Sequence, residues 1–382
     1  MVDDTRRTFL KAGGALAVSG LLTRPDLARG EAPSVAEVRF MGDGLGLSPT
    51  EYTRRVADLA ARHGFSADTY ASGGVIAELE AAFARHLGKE TAVFLPTGTL
   101  ANHIAMRRLT GPRRRVIVQH DSHLYNDSGD CAQRLSGLNL LPVSGDFDPA
   151  AVVSALRVSR SGRVTTEVGA ISLESPLRRG YNTTHTLDQI AALADLARHE
   201  GLGLHLDGAR LFMQAAHQGH TPEEYAAHFD TVYVSLYKNF NAAGGAVLAG
   251  PRSLLADLHH ERRMFGGSPC HAWPLAALAL QYVDDFAAEY VRARLIADRL
   301  YAELSADPRF RIEEIPGGSN SAWLHLRGVD PAEFVQRLSA QNIAVIPPRP
   351  QWGGLLLMIN PTLGRTSAAE LSAAFLGAAD SR

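Results

Sequence analysis

Cysteine is nearly absent. Only Cys131 and Cys270 occur among 382 residues, too few for a disulfide framework, and neither sits in a CxxC or zinc-type spacing. One bridge between them is the most that an oxidising compartment allows. An excess of one charge is missing too: the formal net charge is −2, which offers no electrostatic attraction to nucleic acid or to an anionic membrane. The one dense basic cluster, Arg113-Arg114-Arg115, follows Gly111-Pro112 and precedes Val116-Ile117-Val118. It reads as a solvated loop at a strand entrance. There are no internal repeats, and no apolar run approaches the ~20 residues of a spanning helix. What is present is ordinary for a globular chain, 46% hydrophobic and 20% charged, with length for one large domain and a smaller one.

The first thirty residues have a different character. Arg6-Arg7 and Phe9-Leu10-Lys11 precede an apolar, Gly-rich stretch from Ala12 to Leu22, too short to cross a membrane as a helix. This segment resembles a bacterial twin-arginine export signal. Small residues at Ala28, Gly30 and Ala32 offer cleavage points. The expectation is a signal over 1–30, a periplasmic or secreted mature protein, and no stable membrane association after its removal. The twin-arginine route carries folded proteins, which suits an enzyme that takes up its cofactor before crossing.

From about residue 70 helical and strand-like segments alternate. Val75, Leu79, Ala82 and Phe83 fall at helical spacing between Gly73 and Leu87. Strands are expected at Thr91–Leu95, Val116–Val118, Ala170–Leu173, Gly203–Leu206, Val232–Leu236 and Ala246–Ala249, with helices such as Leu187–His199 between them. Such alternation predicts an α/β domain with a mostly parallel sheet covered on both faces. After Gly267 a long Ala- and Leu-rich helix is expected over Pro274–Leu304. Strand, helix, strand, strand and helix patterns then follow at Ser321–Leu326, Pro331–Ala340, Ile343–Ile346, Leu355–Ile359 and Ala368–Leu376. The predicted organisation is a large domain over 31–270 and a small α+β domain over 271–382.

Four features fall at the C-terminal ends of predicted strands, where parallel α/β sheets bind ligands. Pro96-Thr97-Gly98-Thr99 opens a helix at Leu100, and free backbone N–H groups there, with Gly98 and the Thr99 hydroxyl, suit a phosphate. His120-Asp121-Ser122-His123 allows two readings. One is a metal site completed by His205 and Asp207, which a loop at this spacing supports poorly; the other is a histidine placed to stack on a flat ring. Asp207 ends a buried strand, where a carboxylate needs a cationic partner; a protonated pyridine nitrogen is one. Arg210, three residues on, is suited to grip a carboxylate or phosphate bidentately. Finally Lys238 leaves an apolar strand ahead of the small-residue run Ala242-Ala243-Gly244-Gly245. Burial depresses a lysine's pKa and makes it an imine nucleophile. Anion turn, histidine, aspartate and lysine in that order describe a site for pyridoxal phosphate (PLP), with no metal.

The stretches Leu95-Pro96-Thr97-Gly98-Thr99-Leu100-Ala101-Asn102, Leu204-His205-Leu206-Asp207-Gly208-Ala209-Arg210 and Arg262-Arg263-Met264-Phe265-Gly266-Gly267 resemble the threonine aldolase and β-eliminating lyase family of fold-type-I PLP enzymes. The resemblance runs from about Asp43 into the C-terminal domain. It implies a seven-stranded, mostly parallel sheet and a homodimer or homotetramer with sites at the interface. It also implies that Gly98 and Thr99 hold the phosphate, His123 stacks on the ring, Asp207 pairs with its nitrogen and Lys238 forms the Schiff base. Arg210 would contact the substrate carboxylate, Arg262 would reach a phosphate across the interface, and Tyr70 would lie near the neighbouring site.

The departures concern the substrate half. Met41-Gly42-Asp43-Gly44 stands where the family commonly has Arg-Ser-Asp-Thr, and Leu355-Leu356-Leu357 where an arginine usually completes the carboxylate clamp. Ser175-Pro176-Leu177-Arg178 replaces Thr-His-Asn-Gly, and Tyr237 replaces a serine before Lys238. Arg178, Arg179 and Arg349 are the substitutes considered for the clamp. The leading expectation is retro-aldol cleavage of a small β-hydroxy-α-amino acid such as L-threonine. The alternatives are β-elimination from β-substituted amino acids, or PLP binding without lyase activity.

Overall fold

In the computed structural model residues 37–380 are described; the Arg6-Arg7 segment and the cleavage points lie outside the described residues. Twelve strands are present among them: β1 (Val38–Phe40), β2 (Thr91–Leu95), β3 (Arg115–Gln119), β4 (Asn139–Val143), β5 (Val168–Glu174), β6 (Gly203–Asp207), β7 (Thr231–Ser235), β8 (Ala246–Gly250), β9 (Phe310–Glu314), β10 (Ser321–Leu326), β11 (Ile343–Val345) and β12 (Leu355–Met358). Seven of them form one sheet in the order β2-β8-β7-β6-β5-β3-β4. Every neighbouring pair from β4 to β7 is parallel, while β8 runs antiparallel to both β7 and β2. This is the α/β fold that the resemblance implies.

The strand sequences explain why the sheet is sandwiched. All residues of β5, β7 and β8 are buried, as near-continuous apolar strands must be when helices cover both faces. Successive side chains alternate between two cores. Ile171, Leu173, Val232 and Val234 join one cluster, whereas Ala170, Tyr233, Val116 and Val118 join the other. Each fully buried Leu, Ile or Val contributes roughly 1.5–3 kcal/mol relative to exposure.

Helix Leu187–His199 forms over the expected range, held at its start by a reciprocal Thr186–Gln189 capping box. The long helix expected over Pro274–Leu304 is instead two helices, Trp273–Tyr282 and Phe286–Ser305. Asp284 and Asp285 lie at the break. Aspartate competes with the helical backbone, and the Asp284 carboxylate meets His86 Nε2 at 2.6 Å. Beyond it, β9, β10 and β12 make a small antiparallel sheet.

β11 does not join that sheet. It pairs in parallel with β1, Val38 opposite Ile343 and Phe40 opposite Val345. This ties the chain just after residue 37 to the C-terminal layer and launches the segment Met41–Gly46 toward the end of the large sheet. Asn360 Nδ2 holds that segment by donating to the carbonyls of Arg39 (2.8 Å) and Met41 (3.2 Å). Among the described residues no helix is long and apolar enough to cross a membrane.

Candidate active site

β2, β3, β5, β6 and β7 all point their C-terminal ends to one edge of the sheet, and the polar residues gather there. Lys238 sits in a single helical turn, Leu236–Asn239, directly after β7. Burial, reinforced by the like charge of Arg210, pulls its amine down to about 8, against the opposing pull of Asp207, Asp43 and Glu174. The shift enlarges the neutral fraction that a lysine nucleophile requires.

Asp207, at the tip of β6, is 3% exposed. Its Oδ2 accepts from Asn102 Nδ2 at 2.5 Å and its Oδ1 from the Ala209 amide at 3.3 Å. Behind it the network continues through three side chains. Because Asn102 donates with its nitrogen, its Oδ1 must accept from His205 Nε2 (2.9 Å), and His205 Nδ1 is then left to accept the Thr231 hydroxyl (2.8 Å). Burial holds His205 down to about 4, so the ring is neutral and this one tautomer satisfies every partner. His205 is thereby committed away from any metal. Among the described residues no group of three or more His, Cys, Asp or Glu comes together as metal ligands.

His123 begins a short turn after β3. The buried Glu174, at the end of β5, anchors it: Oε2 accepts the His123 amide at 2.5 Å and Oε1 the Arg178 amide at 3.0 Å. Burial, with the Asp207 charge nearby, raises the Glu174 carboxyl above its ordinary range. Burial likewise lowers the His123 imidazole, partly offset by Asp207.

Gly98 and Thr99 open helix Gly98–Thr110. Thr97 caps it, its hydroxyl accepting the Leu100 amide at 3.2 Å and its carbonyl the Ala101 amide. The Gly98 and Thr99 amides are therefore left at the mouth of the helix. A side chain at Gly98 would run into the hydroxyl and ring of Tyr233, so close packing on β7 requires glycine there.

Five arginines named in the sequence reading already have partners among the described residues. Arg210 faces no open seat for a carboxylate, because Asp43 already fills it: Nε and Nη2 meet the two Asp43 oxygens at 2.6 and 2.9 Å. Arg262 is 1% exposed, and its guanidinium turns inward. It donates to the carbonyls of Phe94 (2.8 Å), Tyr70 (3.0 Å) and Ala71 (3.0 Å). Within its own chain it braces a turn in which Tyr70 and Ala71 both adopt positive φ. The proposed substitutes for the clamp are engaged as well. Arg178 and Arg179 both grip Asp127, at 2.6 and 2.8 Å, holding its carboxyl down to about 2. Arg349 lies 4.7 Å over the Trp352 ring.

A cleft of about 690 Å³ opens beside this cluster, with Lys238, Arg210, Asp43, Tyr52 and Asn241 on its walls. Asn241, from the loop after Lys238, accepts the Leu45 amide at 2.7 Å. Residues of this site that carry no role in the sequence reading are Asn102, Glu174, Asp43 and Asn241. Asn102 lies inside a recognised motif, and Glu174 directly follows the strand predicted over Ala170–Leu173, at the ligand edge; those were their signals.

The model of the "Beta-eliminating lyase" family matches residues 48–314, well over half of the chain. The low-specificity L-threonine aldolase of Saccharomyces cerevisiae is 27% identical over 278 residues, 70% of each chain. Across four fungal relatives of that type the match spans between 54% and 70% of their own lengths. Among the solved structures that share the fold are a threonine aldolase and a serine palmitoyltransferase. Leishmania major threonine aldolase superposes with TM-score 0.69 at 20% identity, covering 89% of this chain and 98% of that one. A serine palmitoyltransferase from S. paucimobilis with a bound PLP–myriocin aldimine gives 0.63 at 17%, covering 90% and 86%. With the family model matched over residues that carry both Asp207 and Lys238, the chain belongs to the β-eliminating lyase/threonine aldolase family of fold-type-I PLP-dependent enzymes.

Proposed function

We propose that this protein binds PLP at Lys238 and cleaves a small β-hydroxy-α-amino acid, with L-threonine as the reference substrate, by a retro-aldol step. The observation that carries the reading is the pairing at one sheet edge of a lysine held at about 8 with a buried carboxylate fixed by Asn102. The residues fit the cofactor. Lys238 has no hydrogen-bond or ion-pair partner among the described residues, and the hydroxyls of Ser122 and Ser235 are buried without partners. The Gly98–Thr99 amides stand at a helix opening suited to a phosphate.

When bound, PLP supplies an electron sink for the bond that breaks at the substrate Cα. The chain's own groups do the rest. Asp207, anchored by Asn102, keeps a proton on the ring nitrogen through its carboxylate. His123, whose pKa burial lowers, would pack over the ring and would accept the β-hydroxyl proton at an imidazole nitrogen. Lys238 Nζ receives and returns protons at Cα. A lysine near 8 is also a competent base for an α-proton, and that favours β-elimination as the second reading.

The test is an absorbance spectrum and an aldehyde assay on the PLP-loaded protein, wild type beside Lys238→Ala. Wild type should show the visible cofactor band and release acetaldehyde from L-threonine. The variant should lose the band, and its turnover should fall by at least about 10²–10⁴-fold. Pyruvate from β-substituted alanines without acetaldehyde from threonine would establish the second reading. A persistent band in the variant would remove Lys238 from its role, and a band without turnover of any amino acid would leave a PLP-binding protein.

We further propose twin-arginine export to the periplasm or beyond, and assembly as a homodimer or homotetramer. The Arg6-Arg7 segment supports the first and the family resemblance the second.

A further inference from the structure

Two arginines line the cleft beside Lys238, Arg210 and Arg39, and their surroundings differ. Arg210 is matched before any ligand arrives. Both Asp43 oxygens face it, and the two side chains are only 9% and 14% exposed. Asp43 has little freedom to leave. Its segment is held on one side by Asn360, through the Met41 carbonyl, and on the other by Asn241, through the Leu45 amide. Between them Gly44 lies so close to the Lys238 carbonyl that a Cβ would stand 2.7 Å from it. An incoming carboxylate would have to expel a carboxylate that is tied down and shielded from water. Displacement would leave the Asp43 carboxylate desolvated and without its cation, which is strongly unfavourable.

Arg39 stands on β1, its amide held by the Thr362 hydroxyl at 2.9 Å. Its guanidinium passes over Gly46, where even a methyl group would overlap Nη1. Glycine at 46, with φ of +63°, therefore makes the room for this side chain in the cleft wall. The nearest opposite charge is Glu37, whose Oε2 lies 3.5 Å from Arg39 Nε without hydrogen-bond geometry, on a side chain 54% exposed. Arg39 Nε is buried and has no hydrogen-bond partner. Among the described residues the guanidinium donates no hydrogen bond. A cation with unused donors, in the wall of a cleft that also presents a lysine amine, is built to take an anion.

Resting on the amino-acid reading of this cleft, we propose that Arg39 receives the substrate's carboxylate, the role that Arg210 does not fill while it is paired with Asp43. The chemical class is an amine that carries a free carboxylate. Arg39 thus replaces the family's serine and second arginine, where this chain has Gly42 and the Leu355–Leu357 run.

The test titrates PLP-loaded protein with glycine and with methylamine, its counterpart without a carboxylate. The change in cofactor absorbance gives each dissociation constant. Wild type, Arg39→Met, Arg39→Lys and Asp43→Asn are compared, with thermal melts to show that each variant is folded. Arg39→Met should weaken glycine about tenfold or more and leave methylamine within about twofold, with Arg39→Lys recovering part of the loss. The proposal is overturned if Arg39→Met weakens both ligands alike or neither. It is also overturned if Asp43→Asn by itself tightens glycine several-fold while Arg39→Met changes nothing, since Arg210 would then be the receptor. Wild-type protein that takes up no PLP would instead remove the cofactor reading, and this assignment with it.

Discussion

Asp207 is positioned by a relay of buried side chains, and the histidine in that relay leaves a signature on stability. His205 is held neutral down to about 4 by burial, against 6.5 for the free side chain. Between those values the unfolded chain binds a proton that the folded chain refuses, so stability must rise with pH across that window. The contribution is complete above 6.5 and is lost as pH falls toward 4, by roughly 3 kcal/mol at most. His103 and His217 are shifted in the same direction, so wild type alone does not isolate His205. Urea midpoints at pH 7 and pH 4.5 for wild type and His205→Gln do. The variant should be less stable at pH 7 and should lose less on acidification; an unchanged pH dependence would dismiss the assignment. Lys238 and Asp207 were legible in sequence because a strand end and a polar residue coincide there. The Asn102–His205–Thr231 relay was not, since its members are 103 and 26 residues apart.

Among the elements, helix Gly98–Thr110 depends on how closely it packs over β7. Gly98→Ala places a methyl group into the Tyr233 side chain, and overpacking a dense core costs roughly 1–3 kcal/mol. The helix mouth would shift with it. We expect a lower melting temperature and faster loss of PLP on desalting, followed by absorbance; unchanged retention would mean that this helix mouth does not hold the phosphate. Other elements show where local patterns mislead. Helix Pro49–His63 was not anticipated, although Ser48 and Glu51 spell a capping box and Gly64 ends it at φ +59°. β4 carries Pro142 and reads poorly as a strand, but it is the outermost strand of the sheet, where a missing donor is tolerated. Conversely, the Ala- and Leu-rich character of 274–304 hid a helix break at Val283–Asp285, where two aspartates fall.

At the scale of the whole molecule, the expected export is testable apart from the chemistry. Replacing both Arg6 and Arg7 by lysine should leave the protein in the cytoplasm, folded and with its cofactor absorbance intact, when cell fractions are compared. Equal amounts of the variant and wild type in the periplasm would reject the twin-arginine reading. The C-terminal layer illustrates a further limit of sequence reading. Its strands and helices were mostly visible as patterns, yet nothing local showed that β11 takes β1 as its partner. That pairing carries the Met41–Gly46 segment to the site.

The sequence by itself determined the fold class and which polar residues stand at the strand ends of the candidate site. Apolar strand runs, helix periodicity and motifs at strand ends are local properties, and a parallel sheet brings those strand ends to one edge whatever else the chain does. Only the tertiary structure decided how the arginines beside the cleft are paired. Arg210 and Asp43 are 167 residues apart, and Arg39 reaches the cleft because strand pairing and Gly46 bring it there. Which arginine is neutralised and which keeps unused donors depends on burial and on what stands opposite. A linear pattern holds no record of either.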